Sequence, residues 1–243
     1  VVRAAQEVLV KLRLLAVSFA LGLSCVAASA SAQISDEMPP DTGYISPERM
    51  IAEFRVGPYQ PDMGGNDAFK TFFGDDLGPL LELELDVIAF RIKDVLYLSG
   101  GGTIGTANFH GKTVVSPNGM DTSEETTLAL LPLNLLAALR VDVLARKLSV
   151  PFIVTGKLGY QWMHWDTDSG GADDVSGWSV GYIWAAQFAL DLDTFDRHAA
   201  RAMDEEWGIN HSFVFFELNG FVTSDASLPI GDHTWTAGLG FVF

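Results

Sequence analysis

Residues 235–243 read WTAGLGFVF, and their alternation decides the fold. Trp235, Ala237, Leu239, Phe241 and Phe243 share one parity, while Thr236, Gly238, Gly240 and Val242 share the other. A period of two is the signature of a strand, because successive side chains point to opposite faces. One face here is large and apolar, and the other is small. That asymmetry suits a strand with hydrocarbon on one side and a crowded barrel interior on the other.

Working upstream, the same alternation recurs between polar, Gly- and Asp-rich stretches. Leu81, Leu83, Leu85, Val87 and Ala89 oppose Glu82, Glu84 and Asp86, and Ala52, Phe54 and Val56 oppose Glu53 and Arg55. Residues 95–107 set Leu96, Leu98 and Ile104 against Ser99, Gly101, Thr103 and Gly105. Residues 127–144 set Leu131, Leu133, Leu135, Ala137, Leu139, Val141 and Val143 against Asn134, Arg140 and Asp142, with a bulge expected at Pro132. Two more strands fall at 152–165, with Lys157 on the polar parity, and at 178–192, where eight alternate residues from Trp178 to Leu192 are apolar. A seventh, at 209–223, carries His211, Glu217 and Asn219 opposite Val214, Phe216 and Leu218. Alternation alone does not choose between a soluble sandwich and a membrane barrel, because the second is the first turned outside in. The depth of the apolar faces favours the barrel, since a tilted strand needs only about 9 to 11 residues to cross a bilayer.

The expected fold is therefore all-β, an eight-stranded antiparallel transmembrane β-barrel over 51–243. An even strand count places both ends on one side. The longer connections at 60–78, 108–125, 166–177 and 224–232 then lie outside, and short turns near 91–94 and 145–150 lie inside. One exception falls on the inner side. From 194 to 207, Phe195, Ala199, Met203 and Trp207 recur every fourth residue among charges, which predicts one short periplasmic helix.

Residues 1–32 combine Arg3, Lys11 and Arg13 with an apolar run at 14–28 and Ala30-Ser31-Ala32, the layout of a cleaved secretory signal. The run is shorter than a spanning helix requires. Residues 33–50 are polar and proline-punctuated, a periplasmic lead-in. The single cysteine, Cys25, lies in the signal, and Gly22 stands where a lipoprotein box wants a Leu-like residue. Cleavage before Gln33 would leave a chain without thiols or disulfides. With 15 Lys/Arg against 31 Asp/Glu the chain is strongly acidic, which excludes binding driven by phosphate neutralisation, and so nucleic acid.

An eight-stranded barrel is just wide enough for its own side chains to fill it. Glu53, Glu82, Glu84, Asp86, Asp142 and Glu217 share the inward parity with Arg55, Arg140 and Lys157. Unpaired charges there would be costly, so a salt-bridged lumenal network is expected, with a narrow ion path as the alternative. No catalytic residue, metal or cofactor is assigned. His211 and Ser212 are adjacent, so a strand points them to opposite faces, whereas a hydrolase needs them within hydrogen-bond reach. The run Asp166-x-Asp168-x-Gly170-Gly171-x-x-Asp174 begins like a calcium loop but has Gly177 where the bidentate Glu belongs. Gly100-x-Gly102-x-x-Gly105 has dinucleotide-turn spacing without a helix expected after it.

The closing strand resembles the C-terminal aromatic signal that outer-membrane barrels present to their insertion machinery, carried here by Trp235, Leu239, Phe241 and Phe243. From about 51 to 243 the chain also resembles a family of small, uncharacterised outer-membrane β-barrels from myxobacteria. The residues that carry this are Arg55-Val56-Gly57-Pro58-Tyr59, Leu131-Pro132-Leu133, Lys157-Leu158-Gly159, Gly208-Ile209-Asn210-His211-Ser212 and Phe216-Glu217. The resemblance implies a fold and no activity. The expected object is a monomeric integral protein of the bacterial outer membrane, in contact with its lipid, with a structural or surface-interaction role. A small channel or hydrophobic-solute transporter is the alternative, and a lipid A modifying enzyme comes third.

Overall fold

The computed structural model describes residues 47–63, 68–74, 77–92, 95–115, 120–148, 150–169, 175–223 and 230–243. The signal at 1–32 and the lead-in up to residue 46 lie outside the described residues. Eight strands form one closed antiparallel barrel in sequence order: β1 (Met50–Tyr59), β2 (Gly78–Ile92), β3 (Leu96–Val115), β4 (Met120–Val141), β5 (Phe152–Ser169), β6 (Val175–Asp191), β7 (His211–Thr223) and β8 (Asp232–Val242). Closure is made by β1 against β8, with Ile51 opposite Val242 and Val56 opposite Ala237. The amides of Arg49 and Met50 both donate to the carbonyl of Phe243, which seals the seam at the end where the sheet begins and finishes. A closed sheet has no unpaired edge, so every strand finds its backbone partners within the barrel.

Burial alternates along the strands as the pleat requires. Along β6, Ser179, Gly181, Ile183, Ala185, Gln187 and Ala189 are buried, and Trp178, Tyr182, Trp184, Ala186 and Phe188 face outward. The outward set is large and apolar: Leu158 is 69% exposed, Tyr182 61% and Leu135 60%. Aromatics meet across neighbouring strands on this face, with Tyr160 edge-on to Tyr182 and Trp235 stacked on Phe216.

Several expectations are corrected. The strands β3 and β4 continue through most of 108–125, which reads as loop, and pair there from Asn108↔Ala129 to Val115↔Met120. Beyond the apolar belt both faces of a hairpin meet water or the barrel mouth, so alternation fades while pairing persists. The bulge expected at Pro132 is absent: pairing with β3 lapses beside it, but the register is the same on both sides, Ile104↔Leu133 and Ala107↔Leu130. The bulges fall instead between Ile88 and Phe90 and between Lys112 and Val114. At the first, Ala89 is the extra residue, and the phase shift turns Phe90 and Ile92 outward.

Helix content is also larger than expected. The inner-side helix is present as Arg197–Trp207, but Ala68–Phe73 and Val143–Leu148 are helical too. In chain order these are α1 (Ala68–Phe73), α2 (Val143–Leu148) and α3 (Arg197–Trp207). Helix α2 occupies the turn expected at 145–150. Helix α3 is capped by Asp196, whose side chain accepts from the amides of His198 and Ala199, and ends at Gly208 with φ +69°, the left-handed conformation a glycine C-cap supplies.

Candidate functional site

The lumen is filled in three levels. At the end where β1 begins and β8 finishes, Ile51, Tyr97, Ile153, Ala189, Phe213, Phe215 and Val242 form an apolar floor. At the opposite mouth, Tyr59, Leu80, Phe109, Leu128, Met163, Phe221 and Ile230 form an apolar cap with Phe69 and Phe73 of α1. Phe69 stacks on Phe73 at 5.0 Å and meets Phe109 edge-on at 5.0 Å. Between floor and cap lie the charges.

Strand register explains how residues distant in sequence meet. Glu53 stands opposite Glu84, Arg55 opposite Glu82, and Gln187 opposite Glu217. Arg55 forms ion pairs with Glu84 of β2 and Glu217 of β7, while its Nη2 lies 3.3 Å from Glu53 and its Nε 4.0 Å from Glu82. Lys157 reaches across from β5, with Nζ 2.7 Å from Glu53 Oε2, 2.7 Å from Glu84 Oε1 and 3.0 Å from Glu217 Oε2. Arg140 donates from Nη2 to Glu53 Oε1 at 2.5 Å and from Nε to Thr155 Oγ1 at 3.1 Å. Its guanidinium lies 4.3 Å from the centroid of Phe213, which joins the charges to the floor.

Six of the nine charges expected in the lumen therefore make one connected cluster: Glu53, Glu84, Glu217, Arg55, Arg140 and Lys157. Glu82 sits at its edge. Asp86 accepts from Ser99 Oγ at 3.2 Å, and Asp142 lies lower, lining a recess with Tyr97 and Arg140. All nine are buried, Glu217 completely. Neutral side chains complete the cluster. Gln187 donates to Glu53 Oε2 at 2.9 Å and to Glu217 Oε2 at 3.3 Å, and Thr103 donates to Glu84 Oε2 at 3.1 Å. These share the inward parity with the charges, which is the signal that could have found them.

Room for the cluster comes from small residues. At Gly105 a Cβ would lie 2.7 Å from Glu82 Cγ, 2.9 Å from the Leu81 carbonyl oxygen and 3.0 Å from Pro132 Cγ. The third glycine of the G-x-G-x-x-G spacing thus packs against the lumenal layer, and β3 continues past it as strand.

His211 and Ser212 meet a shared partner. Asp193 lies beyond the end of β6, with Oδ2 2.6 Å from His211 Nδ1 and Oδ1 accepting from Ser212 Oγ at 3.2 Å. In the acidic run, Asp166 and Asp168 lie on β5, and residues 170–174 lie outside the described residues. Of the closing-strand residues, Trp235, Leu239 and Phe243 are exposed on the outer face and Phe241 is half-buried there.

No protein-family model and no curated protein matches the chain. Among solved structures, it is similar to the attachment invasion locus protein Ail of Yersinia pestis, crystallised with the heparin analogue sucrose octasulfate, at 10% identity and TM-score 0.47 over 81% of this chain and 97% of that one. Neisserial surface protein A matches at 11% identity and TM-score 0.45 over 80% and 97%. The outer membrane protease OmpT of Escherichia coli matches at 8% identity and TM-score 0.42 over 81% and 94%. At such identities a shared barrel says nothing of shared chemistry.

Proposed function

We propose that this chain is an integral outer-membrane β-barrel with a structural or surface-interaction role, its lumen closed by the ion-paired layer and the aromatic cap. The observation that carries this reading is the inversion of the usual arrangement: buried charges at the centre and Phe54, Leu83, Leu135, Leu158, Tyr182, Phe188, Phe216 and Leu239 on the surface. Fully removing one such side chain from water is worth about 1.5–3 kcal/mol. Even at a fraction of that value, the belt left in water would forgo more than the 5–15 kcal/mol or so that stabilises a typical domain. Hydrocarbon removes the conflict. The reading extends to myxobacterial kinship, to lipid of the outer leaflet as the first partner, and to recognition of Trp235, Leu239, Phe241 and Phe243 by the insertion machinery.

The test is localisation and heat-modifiable migration. Expressed with its leader, the protein should fractionate with outer membranes and run faster on a gel unheated than boiled. A compact monomer in detergent-free buffer would sink the proposal. Transport is disfavoured by the filled lumen: planar-bilayer recording should show no steady conductance, and a conductance abolished by Lys157→Met would replace the closed barrel with an ion path.

A further inference from the structure

We propose that the inner end of the barrel carries a site for one divalent first-row transition-metal ion, ligated by Asp191, Asp193 and His211. Asp191 is the last residue of β6, Asp193 lies two residues on, and His211 opens β7. The connection that contains α3 thus begins with both carboxylates and ends at the imidazole. One ligand atom from each of the three lies within 4.8 Å of the others. Bond lengths of about 2.0–2.2 Å require neighbouring ligand atoms roughly 3–4 Å apart, so small side-chain adjustments complete the site.

The surrounding groups give the cluster the form of a built site. Hydrogen-bonding partners outside the trio hold each of the three side chains in place. Asp193 Oδ1 accepts from the Ser212 amide at 3.1 Å and from its hydroxyl at 3.2 Å, which leaves Oδ2 against the ring. Asp191 accepts from the Asp193 amide on Oδ1 and from Thr194 Oγ1 on Oδ2, both at 3.3 Å. On the far side of the ring, His211 Nε2 lies 3.5 Å from Glu48 Oε1, and the buried Glu48 carboxylate is itself paired with Arg91. A carboxylate behind a histidine, fixing the tautomer that turns the other nitrogen toward the centre, is the outer shell that metal-binding histidines carry. His211 and Asp191 also line a small recess with Tyr97 and Asp142. One nitrogen with two carboxylates, and no sulfur, suits Zn²⁺, Mn²⁺ or Fe²⁺ better than Ca²⁺, which takes oxygen ligands, or Cu⁺, which takes sulfur.

Titration calorimetry of the whole barrel folded in detergent, with ZnCl₂ as the probe, tests this. The wild type should bind one equivalent with an affinity lowered at least tenfold by His211→Ala and by Asp193→Asn. Glu48→Gln, which touches no ion, should weaken it by about 10- to 100-fold through the ring orientation. If His211→Ala fails to fold, as judged by gel migration, Asp191→Asn replaces it, and Co²⁺ titration of the wild type should shift the His211 ring resonances ahead of those of His110, His164, His198 and His233. An ion pair only, seen as no saturable Zn²⁺ uptake, or uptake unchanged in the ligand variants, overturns the site. Because the measurement is made on the folded barrel, its failure leaves the membrane reading untouched, and failure of the membrane reading leaves the site untouched.

Discussion

The middle of the lumen and the mouth beside α1 are filled by different physics. In the middle, Glu53, Glu84 and Glu217 are held by Arg55, Arg140 and Lys157, and each ion is buried at a cost that only multiple close partners offset. At the mouth, Phe69, Phe73 and Phe109 close over the charges by apolar contact. The ionic layer therefore depends on the cap above it and the floor below. Water reaching the charges would weaken their attraction several-fold by raising the local dielectric. Aromatic burial in the cap, by contrast, stabilises without partners of opposite sign.

The largest effect is expected at Arg55, which touches four carboxylates. Arg55→Leu should cost about 4 kcal/mol of stability, since removing one member of a buried pair leaves the others uncompensated. Urea unfolding in detergent followed by tryptophan fluorescence measures it. Adding Glu217→Leu should recover part of the loss, and the same deficit should appear at low and high salt, because buried pairs are poorly screened. A loss that disappears in 0.5 M salt, roughly where screening lengths fall to a few ångströms, would mean that water enters the layer.

The cap is tested by Phe109→Ala, expected to cost about 3 kcal/mol through lost contacts and a residual cavity. Phe109 meets Phe69 and Phe73 of α1 and Tyr59 by ring contacts, so the cost should not depend on salt. If cap and charges are coupled as argued, Phe109→Ala should also make the Arg55 deficit salt-sensitive. Additive effects at every salt concentration would show the two levels to be independent.

The outer face offers a third contrast. Leu158 is level with Ala137 and Trp184 on neighbouring strands and turned fully outward. Against hydrocarbon, Leu158→Arg should cost about 2 kcal/mol or more in folding from urea into lipid vesicles. Against water the same change would be neutral.

How much of this was legible follows from where alternation survives. Period two is enforced only where one face meets the lumen and the other the belt, so β1, β2, β5, β6 and the lumenal charges could be read directly from parity. Above the belt the rule lapses. Phe109 and Leu128, both buried in the cap, lie in or beside the stretch that reads as polar loop. Helix α1 spans six residues, too few for a 3.6-residue period to declare itself. The bulge at Ala89 was invisible because an apolar residue there satisfies either phase. Proline suggested a bulge at 132, but its missing amide falls where pairing with β3 lapses, so no extra residue is needed. Parity puts His211 and Ser212 on opposite faces, yet both side chains reach Asp193, which returns from the end of β6 to contact them. Sequence distance hides such contacts at strand ends, where the pleat no longer governs direction.

The smallest effect expected is at α3, where the fold commits least. The helix buries no residue fully, and Trp207 at its end is 74% exposed. Asp196 accepts from two amides at 3.0 Å, so Asp196→Ala should remove about 1 kcal/mol from the helix by orphaning donors at its first turn. Because so little of the helix is buried, that loss should remain local. Hydrogen exchange should speed up across 197–207 while the unfolding midpoint of the barrel stays unchanged. A midpoint that falls with the cap residue would show α3 bound into the same cooperative unit as the strands. The end of the barrel that carries Asp191, Asp193 and His211 would then be as rigid as its charged centre.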